Sequence, residues 1–344
     1  MKTFTLNEKR KYSMNLEKLP KTELHHHLEL SFTWPELYAM AQEDGSHEGM
    51  DLSAFEKHFA LTEPSENLGE VLHKFLGPAR LLNQTHRLKN LVSGICKRAQ
   101  EQNIKLLELR YAPSFLGDLN QMQYEEIHKG ILAGLPKPTS EFAVGLIGIF
   151  QRTKSEETNN KVLEFFQQHK NDFIGFDLAD DEDKFDTKIF APLFKEVSLL
   201  GKPITIHAGE VPGDISIRNV KDSIYELGAK RIGHGVQSIN DPEAIKLLIK
   251  EDILLEVCPT SNWLTQATEK LEDHPIRRLL DAGVKLSINT DDPGVFSLDL
   301  INEYKVCRDL FEFTESEFNQ TNLWAMEFSF IDENHKKSLK GHFA

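Results

Sequence analysis

Two histidines at alternate positions offer the first chemistry in this sequence. The segment 23–29 reads Glu-Leu-His-His-His-Leu-Glu, and we predict that it lies in a β-strand. Side chains two residues apart on a strand face the same side, so His25 and His27 project together while His26 points away. Two adjacent imidazoles form a pair of metal ligands. Hydrogen-bonded core histidines are the commoner outcome for an isolated pair, so further ligands are needed.

Further polar residues stand where three later apolar runs end. His207 closes one run, and Glu210 follows it after a glycine that permits a tight turn. His234 ends a second run between two glycines, which indicates that another group approaches the backbone there. Asp291 and Asp292 end a third run. Each of these patterns alone also suits an ordinary turn, so their meaning depends on whether the runs converge.

The elements that carry these residues follow one repeating pattern. Apolar runs rich in β-branched residues end on polar residues, and a helical pattern follows each of them. We predict eight strands, at Glu23–Leu30, Ile104–Pro113, Ala143–Phe150, Phe173–Ala179, Pro203–Glu210, Ala229–Gly235, Ile253–Pro259 and Val284–Pro293.

Alternating strands and helices indicate a parallel sheet, and eight units are the number that closes a (β/α)8 barrel. An open doubly wound sheet is the competing architecture. Its nucleotide fingerprint, G-x-G-x-x-G, is absent, as is the phosphate loop G-x-x-x-x-G-K-[ST]. We therefore predict an α/β fold, a single TIM barrel. The polar residues stand at the C-terminal ends of its strands, where barrel enzymes build their active sites.

Three helix starts carry capping signals. Thr33-Trp34-Pro35-Glu36 has the pattern of a capping box. Asp241-Pro242-Glu243 offers an N-cap, a proline at the first helical position and an acid in the first turn. His274-Pro275 opens a helix that Gly283 can close just before the last strand.

The length of 344 residues allows two domains, yet we predict one domain over residues 1–344, because a barrel takes about 250 residues and two helical segments account for the rest. Residues 31–100 separate the first two strands by more than one helix needs. A segment that follows a strand emerges at the catalytic face, so we predict a helical insertion that roofs the active site. Residues 299–344 are predicted C-terminal helices.

Closure into a barrel brings the polar residues to one point. His25, His27, His207 and Asp291 then supply three nitrogens and one oxygen, a set suited to Zn²⁺ with a further position for water. The H-x-E and P-C-x-x-C pair of cytidine deaminases is absent, and so is the G-x-S-x-G of serine hydrolases.

Seven ordered motifs resemble the adenosine deaminase family of the amidohydrolase superfamily. They are Leu19-Pro20-Lys21-Thr22-Glu23-Leu24-His25-His26-His27-Leu28, Arg110-Tyr111-Ala112-Pro113, Phe176-Asp177-Leu178-Ala179, His207-Ala208-Gly209-Glu210, Gly233-His234-Gly235, Cys258-Pro259-Thr260-Ser261-Asn262 and Asn289-Thr290-Asp291-Asp292-Pro293. The resemblance implies one zinc ion per chain, a purine nucleoside as substrate and hydrolytic release of its 6-amino group as ammonia.

The resemblance also implies a division of roles. Zinc lowers the pKa of a bound water toward about 7, and the resulting hydroxide attacks C6 of the purine. Glu210 delivers a proton to N1, and His234 orients the water. Asp291 binds zinc and accepts a hydrogen bond from the water, while Asp292 accepts one from a protonated N7. The implied substrate contacts are His27, Glu29, Asp180 and Asp292.

Two departures from the family pattern bear on the substrate. Glu29-Leu30 replaces the usual Asp-Gly, and adenine deaminases of the family also tend to carry glutamate there. Asp180 replaces a glycine whose N–H meets purine N3; it can still offer that N–H if its backbone avoids a conformation reserved for glycine. Adenosine stays the favoured substrate, with adenine as the alternative and a non-catalytic purine-binding protein as a third possibility.

Composition narrows the partners and the compartment. The 40 Lys and Arg against 54 Asp and Glu give a net charge of −14, which argues against nucleic-acid or anionic-membrane binding. The 3 cysteines are widely spaced and form no C-x-x-C, as expected in a reducing compartment. We find no signal-peptide pattern and no apolar run long enough to cross a bilayer. We predict a cytoplasmic protein and leave its oligomeric state open.

Overall fold

A β-strand occupies each of the eight predicted runs. The computed structural model describes residues 14–65 and 68–343, with the side chains of 68–72 outside that description. The strands are β1 (Lys21–His27), β2 (Ile104–Tyr111), β3 (Ala143–Gln151), β4 (Phe173–Ala179), β5 (Thr205–Ala208), β6 (Arg231–His234), β7 (Leu254–Val257) and β8 (Leu286–Ile288).

All neighbouring strands pair in parallel, in two four-stranded sheets of sequential order, β1 to β4 and β5 to β8. Two isolated bridges join the sheets. His26 pairs with Asp291 beyond β8, and Phe176 of β4 pairs with Ile204 just before β5. The N–H of His27 donates to the carbonyl of Asp291 over 2.8 Å. The strands therefore close into the predicted (β/α)8 barrel.

Helices follow the strands and also form two longer helical segments. The described residues contain α1 (Trp34–Glu43), α2 (Leu52–Phe59), α3 (Leu68–Ala79), α4 (Thr85–Glu101), α5 (Pro113–Asn120), α6 (Tyr124–Gly134), α7 (Glu156–Gln168), α8 (Ala191–Ser198), α9 (Asp214–Tyr225), α10 (Pro242–Lys250), α11 (Pro259–Leu264), α12 (Ile276–Asp281), α13 (Leu300–Phe311), α14 (Glu315–Phe328) and α15 (Glu333–Leu339). Among the described residues, no helix combines the length and apolar character needed to span a membrane.

The predicted helix caps are confirmed. Thr33 and Glu36 form a reciprocal capping box at the start of α1. The side chain of Asp241 accepts the N–H of Glu243 at the start of α10. Gly283 follows α12 with a φ of +85°, the left-handed conformation that favours glycine.

Helices α1 to α4 occupy the predicted insertion, and α13 to α15 occupy the predicted C-terminal segment. Phe75 and Leu76 of α3 line the cavity at the C-terminal ends of the strands. The insertion therefore contacts the predicted active-site face. Two statements remain predictions: that this insertion roofs the active site, and that the whole chain forms one domain.

A network of buried charges fills part of the barrel. Arg110 contacts Asp177 at 2.8 Å and Glu256 at 2.6 Å, and all three side chains are fully buried. Arg231 contacts Glu108 at 2.6 Å and Glu256 at 2.6 Å, and it is also fully buried. Arg110 thus forms a structural ion pair inside the barrel. Burial alone would raise the pKa of Glu256, but the two guanidinium groups hold it well below its usual range.

Replacing Arg231 with Met should lower the free energy of unfolding by about 3–5 kcal/mol, because buried Glu108 loses its counter-charge and buried Glu256 keeps only that of Arg110. Urea unfolding followed by circular dichroism measures this loss. Arg277→Met is the matched control, since its partners Asp281 and Glu317 are partly exposed, and it should cost less than about 1 kcal/mol. Equal losses in the two variants would contradict a stabilising interior network.

Candidate active site

One cavity of about 340 Å³ opens at the C-terminal ends of the strands. The residues predicted from the sequence meet around it or directly beneath it. The lining includes His27, Glu29, Asp180, His207, Glu210, His234, Asp291 and Asp292, with Phe115 and Ile149 among the apolar residues. His25 is fully buried and packs against His207, with ring centroids 4.5 Å apart.

The predicted metal ligands lie at distances suited to one shared ion. Asp291 Oδ1 is 3.3 Å from His25 Nε2 and 3.3 Å from His27 Nε2. His27 Nε2 is 3.2 Å from His207 Nε2. A tetrahedral ion bound at about 2.0–2.2 Å keeps its ligand atoms roughly 3.3–3.5 Å apart. Three of the six distances among the four ligand atoms therefore match those of a coordination sphere.

Buried carboxylates set the protonation of two of these histidines. His25 Nδ1 lies 2.9 Å from Glu256 Oε2, and His207 Nδ1 lies 2.9 Å from Asp177 Oδ2. An ionised carboxylate only accepts hydrogen bonds, so each Nδ1 carries the proton and each Nε2 presents a lone pair. Among the described residues, His25 Nε2 finds no hydrogen-bond partner although it is buried. A cation at this point would satisfy it.

A fourth histidine, His234, also approaches this group. His25, His207, His234 and Asp291 can bring ligand atoms within 4.8 Å of one another, so proximity alone would admit His234 as a ligand. Its Nε2 is 3.9 Å from Asp291 Oδ2, farther than the 3.3 Å of His27. These distances favour His27 over His234 as the fourth metal ligand. The hydrogen bonds of His234 give a second reason to exclude it.

A relay of hydrogen bonds fixes the proton on Nε2 of His234. The N–H of Ile276 donates to His274 Nδ1 over 3.1 Å, so His274 carries its proton on Nε2. The Nε2–H group of His274 donates to Asn262 Oδ1 over 3.1 Å, which orients the side-chain amide of Asn262. The amide nitrogen of Asn262 then donates to His234 Nδ1 over 3.0 Å. His234 Nε2 is consequently an N–H donor and offers no lone pair to a metal ion.

The donor of His234 points into the reactive part of the cavity. Its Nε2 lies 3.6 Å from Glu210 Oε2, and burial lowers the pKa of His234 to about 4. The imidazole is therefore neutral at pH 7 and keeps this one N–H. Such a group can orient a water molecule or stabilise developing negative charge.

Backbone and side-chain contacts fix Glu210. The buried carboxylate of Glu182 accepts the N–H groups of Gly209, Glu210 and Val211 over 2.7–3.0 Å. The hydroxyl of Thr265 donates to Glu210 Oε1 over 2.9 Å. Gly209 has a φ of +79°, which accounts for the tight turn expected before Glu210. Glu210 thus stands at the cavity with Oε2 turned toward His234.

The glycine before His234 meets the close approach expected from the sequence. A Cβ on Gly233 would lie 3.0 Å from His25 Cε1 and 3.3 Å from the Cα of His207. A side chain here would push against two of the predicted metal ligands. Glycine therefore permits the histidines to gather.

The acidic pair after β8 divides between two environments. Ser261 Oγ donates to Asp291 Oδ2 over 2.6 Å, and Asp291 has a φ of +68°. Asp292 Oδ1 is buried without a hydrogen-bond partner in the described part of the chain. Burial and the neighbouring Asp291 raise the pKa of Asp292 well above its usual range. Asp292 therefore presents an unsatisfied, readily protonated carboxyl group to a ligand.

Glu29 and Leu30 also line the cavity. Glu29 is buried, its Oε1 accepts the N–H of Ala112 over 2.6 Å, and burial raises its pKa to about 7. A neutral carboxyl group at this position can both donate and accept hydrogen bonds.

The backbone of Asp180 does not avoid the conformation reserved for glycine, which was the condition stated for offering its N–H to the substrate. Its φ is +91°, in the left-handed region that favours glycine. The side chain accounts for the difference. Asp180 Oδ2 accepts from the hydroxyl of Thr153 and from the amide of Gln151, and Oδ1 accepts the N–H of Asp181. These bonds offset the cost of the unusual backbone.

Several residues that position the site received no role from the sequence. Asp177 and Asn262 lie inside quoted motifs, and their place beside predicted strand ends was the available signal. His274 was predicted only to open a helix, which it does, but it also starts the relay to His234. Glu182 closes the segment around Asp180 that resembles the family pattern, which was the available signal, whereas Thr265 carried none. His26 points away from the cavity and bonds to Ser31, as expected.

Comparison with known proteins agrees with this geometry. The family model for adenosine deaminase matches residues 20–343. The adenosine deaminase of Plasmodium gallinaceum is 32% identical over 339 residues, 97% of this chain and 93% of that protein. Among solved structures, the adenine deaminase of Arthrobacter aurescens has a TM-score of 0.85 at 22% identity, covering 94% of this chain and 98% of that chain.

A zinc-bound amidohydrolase from Burkholderia ambifaria has a TM-score of 0.82 at 20% identity, covering 99% of this chain and 93% of that chain. Identities this low show the fold alone, whereas the family model covers nearly the whole sequence. This chain belongs to the adenosine deaminase family and is a deaminase of the hydrolase class.

Proposed function

We propose that this protein removes the 6-amino group of adenosine, or of a close 6-aminopurine nucleoside, by zinc-dependent hydrolysis. The observation that carries the proposal is the convergence of His25, His27, His207 and Asp291 at ion-binding distances beside Glu210. Adenosine is the proposed substrate because the similar relatives are named adenosine deaminase. We also infer one zinc ion per chain and a cytoplasmic location.

The four proposed ligands fit zinc in chemistry as well as in spacing. Three neutral imidazoles and one carboxylate are a usual ligand set for this ion, and the unsatisfied Nε2 of His25 calls for a cation. When bound, zinc supplies Lewis acidity that makes a water molecule a nucleophile near pH 7. Glu256 and Asp177 keep the Nε2 lone pairs of His25 and His207 directed at the ion.

The remaining residues supply protons and hydrogen bonds. His234 donates from Nε2 to the attacking water, and Asp291 Oδ2 accepts a proton of that water. Glu210 Oε2 delivers a proton to N1, so that the ring accepts electrons as C6 is attacked. Asp292 shares a proton with N7 on the opposite edge of the purine. Since its pKa is raised, it can carry that proton itself.

Glu29 and Asp180 bear on the choice between nucleoside and base. We infer that Glu29 faces the sugar. We also infer that the N–H of Asp180 faces purine N3, because side-chain hydrogen bonds hold its backbone in the glycine-type conformation although the residue is an aspartate. His27 would contact the substrate as well as zinc. Phe75 and Leu76 of the insertion would roof the ligand as part of one barrel domain. Adenine is the second candidate substrate, because glutamate at position 29 is also the family's adenine-deaminase residue.

A substrate panel tests the nucleoside assignment. Zinc-loaded protein should release ammonia from adenosine, deoxyadenosine or a 5′-modified adenosine, with kcat/KM above that for adenine. The absorbance change of the purine ring and an ammonia assay measure both reactions. A higher kcat/KM for adenine would transfer the assignment to adenine deaminase, and inertness toward all of these compounds would refute both.

Replacing Glu210 with Gln should abolish turnover of adenosine, by about 10²–10⁴-fold, because the amide cannot deliver a proton to N1. Zinc content, measured by atomic emission, should remain at one ion per chain. Glu269→Gln is the control, since Glu269 is exposed and outside the cavity lining. Turnover retained in Glu210→Gln would disprove the proton-transfer role.

Replacing Asn262 with Leu should lower kcat by about 10²–10³-fold, because His234 loses the bond that holds its proton on Nε2. KM and zinc content should change little. Asn262→Asp should be impaired in the same way, since a carboxylate beside Nδ1 draws the proton there. Asn240→Leu, at an exposed amide, is the control. Normal kcat in both Asn262 variants would show that the relay has no catalytic part.

A further inference from the structure

A second group of metal-ligating side chains lies far from the catalytic cavity. His128 lies on α6, whereas His169 and Asp172 lie in the turn between α7 and β4. Asp172 directly precedes the first residue of β4, so the group lies at the N-terminal end of the barrel. The catalytic residues stand at the opposite, C-terminal end. The proposed deaminase chemistry uses none of these three side chains.

The three side chains have the spacing of a coordination site. His128 Nε2 is 3.1 Å from Asp172 Oδ2, and His169 Nδ1 is 3.6 Å from the same oxygen. The two imidazole rings meet edge to face with centroids 4.8 Å apart. All three ligand atoms lie within 4.8 Å of one another. The two distances to oxygen bracket the roughly 3.3–3.5 Å that separates ligands around a tetrahedral zinc ion.

Local packing holds the group in place. The ring of His128 stacks on Phe173 at 5.2 Å and meets Phe165 edge to face at 5.4 Å. The N–H of Asp172 donates to the carbonyl of His169 over 2.9 Å, which closes the turn that carries both residues. Little conformational freedom therefore remains to be lost when an ion binds.

The hydrogen bonds of His128 also suit an ion. Its Nδ1 lies 2.8 Å from the hydroxyl of Tyr111, a group that can accept or donate a hydrogen bond. His128 Nε2 donates to the carboxylate of Asp172, and Nδ1 accepts from the hydroxyl of Tyr111. A cation would take the place of the proton between Nε2 and Asp172 Oδ2, with Nδ1 then donating to Tyr111 as the second ring nitrogen of a metal-binding histidine usually does.

We propose that His128, His169 and Asp172 form a second site for a divalent cation of the zinc class, separate from the catalytic ion. His169 is 30% exposed and Asp172 is 38% exposed, so water can complete the coordination. Two imidazoles favour zinc, cobalt or nickel over the hard cations magnesium and calcium, which require mostly oxygen ligands. The neighbouring charge of Glu125 adds to the attraction for a cation.

Cobalt titration of the zinc-loaded, full-length protein tests the site, with bound ions per chain and the visible cobalt spectrum as readouts. The wild type should bind one further equivalent, with absorption bands that show nitrogen ligation. His169→Gln and Asp172→Asn should each weaken this binding by more than 10-fold. Both side chains are partly exposed, so these variants avoid the packed ring of His128, and equal melting temperatures would verify their folding.

Three controls make the outcome specific. His86→Gln and Asp183→Asn remove exposed groups outside the proposed site and should leave the further equivalent unchanged. His58→Gln disrupts another close pair of imidazoles outside the catalytic cavity, since the Nε2 atoms of His58 and His73 lie 2.9 Å apart. Absence of a further equivalent in the wild type would overturn the proposal. So would its persistence in His169→Gln, or its loss in His58→Gln instead.

Discussion

The carboxylate of Glu256 connects the stability of the barrel to the chemistry of its cavity. It contacts both Arg110 and Arg231 inside the barrel, and it also accepts the Nδ1 proton of His25. The guanidinium groups keep it ionised, and an ionised acceptor is what directs the opposite nitrogen of His25 toward the metal position. Protonation of Glu256 would weaken its ion pairs with Arg110 and Arg231. It would also remove the acceptor that keeps the proton of His25 on Nδ1. The catalytic end of the barrel therefore depends on charges buried well below it.

Two of the reactive groups stand on strained backbone. His234 and Asp291 have φ values of +62° and +68°, although neither is glycine. The barrel supplies the contacts that hold them: Asn262 donates to His234, and Ser261 donates to Asp291. Both donors belong to α11, which follows β7, so one short helix fixes groups from the two neighbouring strands. Strain of this kind is typical of sites that are organised before the substrate arrives.

Features that depend on short-range interactions can be predicted from the sequence, whereas features that depend on contacts between distant segments cannot. Strands and capped helices depend on neighbours within a few residues, and the ligands could be inferred because strand ends converge in a closed barrel. The relay to His234 instead joins a helix start, a helix of another unit and a strand end, so His274 gave only its local signal. Asp180 shows the converse limit. Its backbone depends on Thr153, a residue too distant in sequence to be paired with it by pattern.

Charge balance inside the barrel gives an independent reason for a divalent ion. Glu108, Asp177 and Glu256 carry three negative charges, whereas Arg110 and Arg231 supply two positive charges. Asp291 raises the excess from one negative charge to two. Buried charge without compensation is costly, and the nearby Glu29 and Asp292 have raised pKa values, so they can relieve it by binding protons. A divalent cation held by Asp291 and the histidines would offset the excess of this network, so the ion proposed for catalysis also favours its charge balance.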